Sequence, residues 1–199
     1  CLKASLEAGE VTTVSKINTI ADGTAVQTPG DKLFPYLQAN VDHVITVDDS
    51  ELTLSFLDMA ENHKMIVENS GLLTVAALKH LDFKGKKVVS VLSGGNMDVL
   101  TMATVVQNGL MQRDRIFTVS VMLPDKPGQL AAVSSLIAKE QGNVIKLEHN
   151  VFANVNRTAG VELTITLESF GTEHKDQIIK ALEAAGYCPV ITKTNGIYM

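Results

Sequence analysis

The run Lys87–Asn96, KVVSVLSGGN, restricts the fold more than any other stretch of the chain. Val88 to Leu92 is apolar and β-branched, the composition of a strand buried on both faces of a parallel sheet. The run stops at Ser93-Gly94-Gly95-Asn96, and a helical pattern starts near Met97. Such a strand puts a hydroxyl, two glycines and an amide at the carboxyl end of a sheet, where open α/β folds bind ligands. The glycines let backbone approach a ligand, and Ser93 can donate or accept a hydrogen bond there. From these residues alone a tight turn without a ligand is an equal alternative.

Upstream, short strand-like runs alternate with helical ones. Leu2–Ala8 reads as a helix stopped by Gly9, and His43–Val47 as a strand. Asp48 or Asp49 can cap the next helix, with Glu51 in its first turn and Leu52, Phe56 and Met59 on one face. Met65–Val67 is a further strand, leading through Glu68-Asn69-Ser70-Gly71 to a helix ending near Leu81. This alternation predicts part of a mostly parallel α/β domain over residues 1–112.

The period changes after that. Ile116–Leu123 alternates as a strand, Pro124–Gly128 breaks it, and Leu130, Val133, Leu136 and Ile137 fall at helical spacing. Strands follow at Val144–Phe152 and Gly160–Leu167; Thr172 can cap a helix with Ile178, Ile179 and Leu182 inward, and Cys188–Lys193 closes as a strand. The order over 113–199 is βαββαβ, a ferredoxin-like split unit, whose exposed sheet edges point to pairing in a homo-oligomer.

Composition narrows the function classes. Seventeen basic against 22 acidic side chains give a net charge of −5, which disfavours a nucleic-acid or anionic-membrane surface. No apolar run approaches the roughly 18 residues that span a bilayer. Cys1 and Cys188 lack metal-ligand spacing and suggest free thiols in a reducing cytoplasm, a disulfide between them being the alternative. No paired carboxylates or Ser-His-Asp arrangement supports a hydrolase, and no metal ligands stand out.

With these residues in view, the chain from about Val11 to Met199 resembles the C-terminal half of a threonine dehydratase (threonine ammonia-lyase) of the fold-type II pyridoxal 5'-phosphate (PLP) class, ending in an ACT regulatory domain. Thr19-Ile20-Ala21-Asp22-Gly23-Thr24-Ala25-Val26 matches the family's T-I/L-A-D-G-x-A-V segment, and Val67-Glu68-Asn69-Ser70-Gly71 its V-E-x-A/S-G segment. Ser93-Gly94-Gly95-Asn96 matches S-G-G-N, and Asp125-Lys126-Pro127-Gly128 the D-x-P-G turn opening the first ACT helix. The resemblance implies that Ser93 bonds the cofactor's pyridine nitrogen, that Gly94 and Gly95 permit its close approach, and that Glu68 stands near its ring. Asp22 and Gly23 would shape a turn beside it. The chemistry implied is conversion of threonine to 2-oxobutyrate and ammonia.

The family's cofactor-binding lysine, in an S-F-K-x-R-G-A context, and its S-x-G-N-H-A-Q-G phosphate segment do not occur here. The chain begins at Cys1 and is expected to start within a longer protein. No catalytic residue is expected in it, and by itself it should not turn over threonine. For the ACT half the resemblance implies an amino-acid effector, isoleucine with valine as antagonist, bound around Asp125, Pro127, Gly128 and His149. His149-Asn150 stands where relatives often carry His-Asp, so the ligand is left open there. A stand-alone, non-catalytic amino-acid-sensing module is the alternative.

Overall fold

A computed structural model describes residues 1–150 and 160–194 and divides the chain into two compact units, Cys1–Val106 and Gln107–Met199. The first unit is built from helices. α1 (Leu2–Ala8) stops at Gly9, whose φ of 77° only glycine adopts freely. α2 spans Phe34–Asn40 and α3 Asp49–Asp58. Of the two aspartates that could cap α3, Asp48 does so, in a capping box completed by Glu51. Phe56 and Leu52 are each 1% exposed and form the core with Ala21, Met59, Val67, Leu72, Ala76 and Val105. The expected helix after Gly71 is a broken coil: a tight turn over Asn69–Leu72, one α turn (α4, Leu73–Ala76) and another tight turn to His80. α5 (Val99–Gln112) begins at Asp98, whose carboxylate accepts the backbone N–H groups of Leu100 and Thr101. Among the described residues no helix is long and apolar enough to cross a membrane.

The three strands expected in this unit do not form. Residues 43–47, 65–67 and 88–92 lie in no helix and join no ladder, and Val89 and Val91 are 88% and 67% exposed rather than buried on both faces. A parallel strand satisfies its N–H and C=O groups only on neighbours, and no strand among the described residues of the first unit brackets these segments. Val91 is held instead by its carbonyl, which accepts the Thr74 hydroxyl at 3.0 Å. The α/β class holds for the chain, with the sheet in the second unit.

That unit follows the expected order: β1 (Ile116–Leu123), α6 (Gln129–Lys139), β2 (Asn143–Asn150), β3 (Val161–Glu168), α7 (Thr172–Ala184) and β4 (Val190–Thr192). The sheet runs β2-β3-β1-β4, antiparallel throughout. Residues 151 and 152 of the expected second strand lie outside the described residues. Alternation puts Phe117, Val119, Val121 and Leu123 with Leu163, Ile165 and Leu167 on one face, where Val133, Ile137, Ile178 and Leu182 of the helices close the core. The other face carries hydroxyls, with the Thr118 and Thr166 oxygens 3.0 Å apart. The edge strand β2 is exposed along its length.

Thr172 does not cap α7. It is the first helical residue after Gly171, and its hydroxyl donates to Asp114 Oδ2 at 2.8 Å, while Lys175 Nζ lies 2.7 Å from Asp114 Oδ1. Asp114 thus ties the entry of β1 to the first turn of α7. Its partial burial raises the carboxyl pKa, but the bonds from Lys175 and Thr172 outweigh this and hold it below the ordinary value of 3.8. A depressed carboxylate contributes stability that is complete above the unfolded pKa and lost as pH falls through the folded one. Asp114→Asn keeps a residue tolerant of the left-handed φ of 54° and removes the charge. It should cost the second unit about 1–2 kcal/mol at pH 7, and urea titrations should show that difference shrinking below about pH 4.

Candidate functional site

Two loops of the first unit meet on the turn carrying Glu68. The Glu68 N–H reaches the Gly94 carbonyl at 3.4 Å, and its Oε2 accepts the Asn96 N–H at 3.0 Å. Gly94 has φ +80°, and a Cβ there would lie 2.2 Å from Glu68 Cδ. Gly71 is tighter still: its Cβ would stand 1.8 Å from the Ser93 carbonyl oxygen. Ser93 and Glu68 are therefore brought together by close backbone packing. Gly23 arrives from the other loop, its Cβ position 2.9 Å from Ser70 Oγ and 3.7 Å from Glu68 Oε1.

Asp22, Glu68, Asn69 and Asn96 line a cleft of about 260 Å³ between these loops. Ser93 is exposed, and Gly95 has no heavy atom within 4 Å of its Cβ position. Two buried side-chain atoms, Asn69 Oδ1 and Ser70 Oγ, lack partners among the described residues. The Asp98 carboxyl is held below its ordinary value chiefly by the Thr101 hydroxyl and also by backbone N–H groups, so it belongs to the α5 cap.

Sequence reasoning passed over two residues here. Asp49, read only as a possible cap, accepts the Thr19 hydroxyl at 2.5 Å and the Ile20 N–H at 3.1 Å. Asn69, read as part of a motif, donates from Nδ2 to the Ile20 carbonyl at 3.1 Å. Both partners are distant in sequence, and no local pattern signals them.

In the second unit Asp125, Pro127 and Gly128 are exposed in the β1–α6 turn, and Gly128, φ 90°, precedes α6 without any side-chain cap. Leu123 faces Val161, and His149 faces Leu163. The turn and His149 thus lie at the same end of the sheet on strands separated by β3; both are exposed. Both cysteines are free thiols. Among the described residues no cluster of His, Cys, Asp or Glu could hold a metal ion.

The first unit packs glycine-bearing loops around the Glu68 turn, and the second is a split βαββαβ unit. Residues 1–94 match the pyridoxal-phosphate dependent enzyme family and residues 117–186 the ACT domain, so the two matches follow one another along the chain. It is homologous to threonine ammonia-lyases. It is 36% identical to the L-threonine ammonia-lyase of Geobacter sulfurreducens over 95% of its own length and 48% of that protein. The L-threonine ammonia-lyase of Thermotoga maritima is 34% identical over 92% of the chain and 46% of the relative. A biosynthetic L-threonine dehydratase of Pasteurella multocida is 29% identical over 100% and 40%. The chain spans about half the length of these first two relatives.

Proposed function

We propose that the chain is the C-terminal part of an allosteric, PLP-dependent threonine dehydratase whose ACT unit binds an amino-acid effector. The observation that carries the reading is the similarity to threonine ammonia-lyases through both halves in one unbroken order. The residues present suit the cofactor: an exposed neutral hydroxyl at Ser93, an open approach over Gly95 and, on the neighbouring Glu68 turn, the partnerless buried Asn69 Oδ1 and Ser70 Oγ.

When bound, PLP supplies an electron-withdrawing ring conjugated to the substrate's amine carbon. Ser93 would bond the ring nitrogen through its hydroxyl and, being neutral, leave that nitrogen largely unprotonated. Gly94 and Gly95 let the backbone come under the ring edge, and Glu68, anchored to the Asn96 N–H, sets the carboxylate position beside it. In the ACT unit, Asp125 suits an effector's ammonium, and the uncapped α6 terminus at Pro127-Gly128 suits its carboxylate, with His149 on the same end of the sheet. Isoleucine, with valine as antagonist, is the effector pair, the enzyme is cytoplasmic, and copies associate through sheet edges.

The test uses the whole enzyme carrying this chain. With PLP and threonine it should form 2-oxobutyrate, and isoleucine should suppress formation; the 199-residue chain alone should form none. Formation without an isoleucine effect defeats the effector assignment. No formation and no cofactor absorbance, with isoleucine still raising the melting temperature of the chain, favours a stand-alone amino-acid sensor.

A further inference from the structure

The backbone of Ile20 is held by two side chains from distant elements. Its N–H donates to Asp49 Oδ2 at 3.1 Å, and its C=O accepts from Asn69 Nδ2 at 3.1 Å. The second Asp49 oxygen takes the Thr19 hydroxyl at 2.5 Å, and that hydroxyl in turn accepts the Ala21 N–H at 3.2 Å. Residues 19–21 lie in no helix or ladder, so their polar groups depend on such partners. Asn69 is 5% exposed and adjoins Glu68, whose own bonds run to Gly94 and Asn96. One connected path therefore runs from Asp49 through the Thr19–Gly23 segment and Asn69 to the Ser93 loop.

Capping of α3 does not account for where the Asp49 carboxylate points. The α3 cap is made by Asp48 and Glu51, while the Asp49 carboxylate turns back to receive two donors, one on each oxygen. A carboxamide at this position has one acceptor and would face the second donor with an NH2 group. A glutamate keeps the two-oxygen fork on a longer stem.

We infer that Asp49 and Asn69 are positioning residues that lock the Asp22-Gly23 wall of the cleft against Glu68 and thereby shape the cofactor site. The inference rests on the PLP reading of the Ser93 edge. A ring bound between two loops needs both at a fixed separation, and a loop without ladder bonds gains that fixity only from side chains.

The experiment compares wild type with Asp49→Asn, Asp49→Glu, Asn69→Leu and Thr19→Val, the last removing one arm without touching α3. Amide hydrogen exchange of Ala21–Gly23 is read in the cofactor-free protein, and PLP affinity and absorbance in the whole enzyme. Asp49→Asn and Asn69→Leu should speed exchange at Ala21–Gly23 and weaken PLP by about tenfold, the loss of one bond to a fixed partner, with a shifted absorbance band. Protection of the α3 core around Phe56 should be unchanged, and Asp49→Glu should restore most of the affinity. Unchanged exchange and affinity in Asn69→Leu and Thr19→Val overturns the inference. So does lost thermal stability with wild-type PLP affinity and spectrum, the result of a merely structural role. A wild-type enzyme that takes up no PLP defeats the functional reading instead, and the exchange data then decide the clamp by themselves.

Discussion

Gly71→Ala should destabilise the first unit by about 3 kcal/mol and displace Ser93, the largest effect expected of any single methyl group in this unit. The added carbon would lie 1.8 Å from the Ser93 carbonyl oxygen, 2.9 Å from the Ser93 carbonyl carbon and 2.9 Å from Val67 Cγ1. Two of those three atoms are backbone, which no rotamer change can move. Gly71 is also pinned by its own N–H, which donates to the Glu68 carbonyl at 2.9 Å. The strain can relax only by moving the Ser93 loop away from the Glu68 turn, which separates the two groups proposed to flank the cofactor. Gly95→Ala is the matched control, because its Cβ meets nothing within 4 Å. It should leave unfolding within about 0.5 kcal/mol of wild type yet reduce PLP affinity in the whole enzyme, since the methyl group occupies the approach to the ring. Urea unfolding and cofactor titration of the two variants separate packing from ligand approach. A Gly71→Ala protein as stable as wild type would mean that Ser93 does not rest on this turn.

The D-x-P-G turn and the βαββαβ order are legible in the sequence because each follows from local periodicity and turn residues. The D-x-P-G turn stands between a period of two in Ile116–Leu123 and a helical period from Leu130, and the structure changes from β1 to α6 at that point. Asp48 and Glu51 are likewise three residues apart and form the box that such spacing allows. Val88–Leu92 joins no ladder for the opposite reason. Its apolar composition is that of an interior strand, but interior position is conferred by neighbouring strands, and residues 1–106 provide none in the structure. Thr172 shows a different limit. A threonine before a helix is a fair cap by type, but Asp114, 58 positions upstream, draws its hydroxyl away. The bonds from Asp49 and Asn69 to Ile20 span 29 and 49 positions and leave no periodic trace. Spacing of three or four residues carries the α3 capping box, whereas these long-range bonds depend on partners that no local pattern names.

Ile165→Ala should cost the second unit about 3–4 kcal/mol, a large share of the stability of a domain this size. Ile165 is fully buried on the helix-covered face of β3, opposite Val119 on β1 and Leu147 on β2. The residues that close over this face, Val133 and Ile137 from α6 and Ile178 and Leu182 from α7, come from two helices and cannot both collapse into the space left by truncation. Thr164, one position earlier, faces the hydroxyl-bearing side of the sheet and is partly exposed, so Thr164→Ala should change unfolding by no more than about 0.5 kcal/mol. The contrast between adjacent residues tests the register itself, because a one-residue slip would exchange the two effects. It also bears on regulation. The β1–β3 register sets Leu123 opposite Val161, and the proposed effector turn leaves the sheet at Leu123. Ile165 pairs with Val119, four positions from Leu123, so isoleucine should still raise the melting temperature of both variants. Calorimetry with and without millimolar isoleucine measures both quantities. Equal costs for the two substitutions would place the core on neither face and undo the sheet assignment from which the effector site is argued.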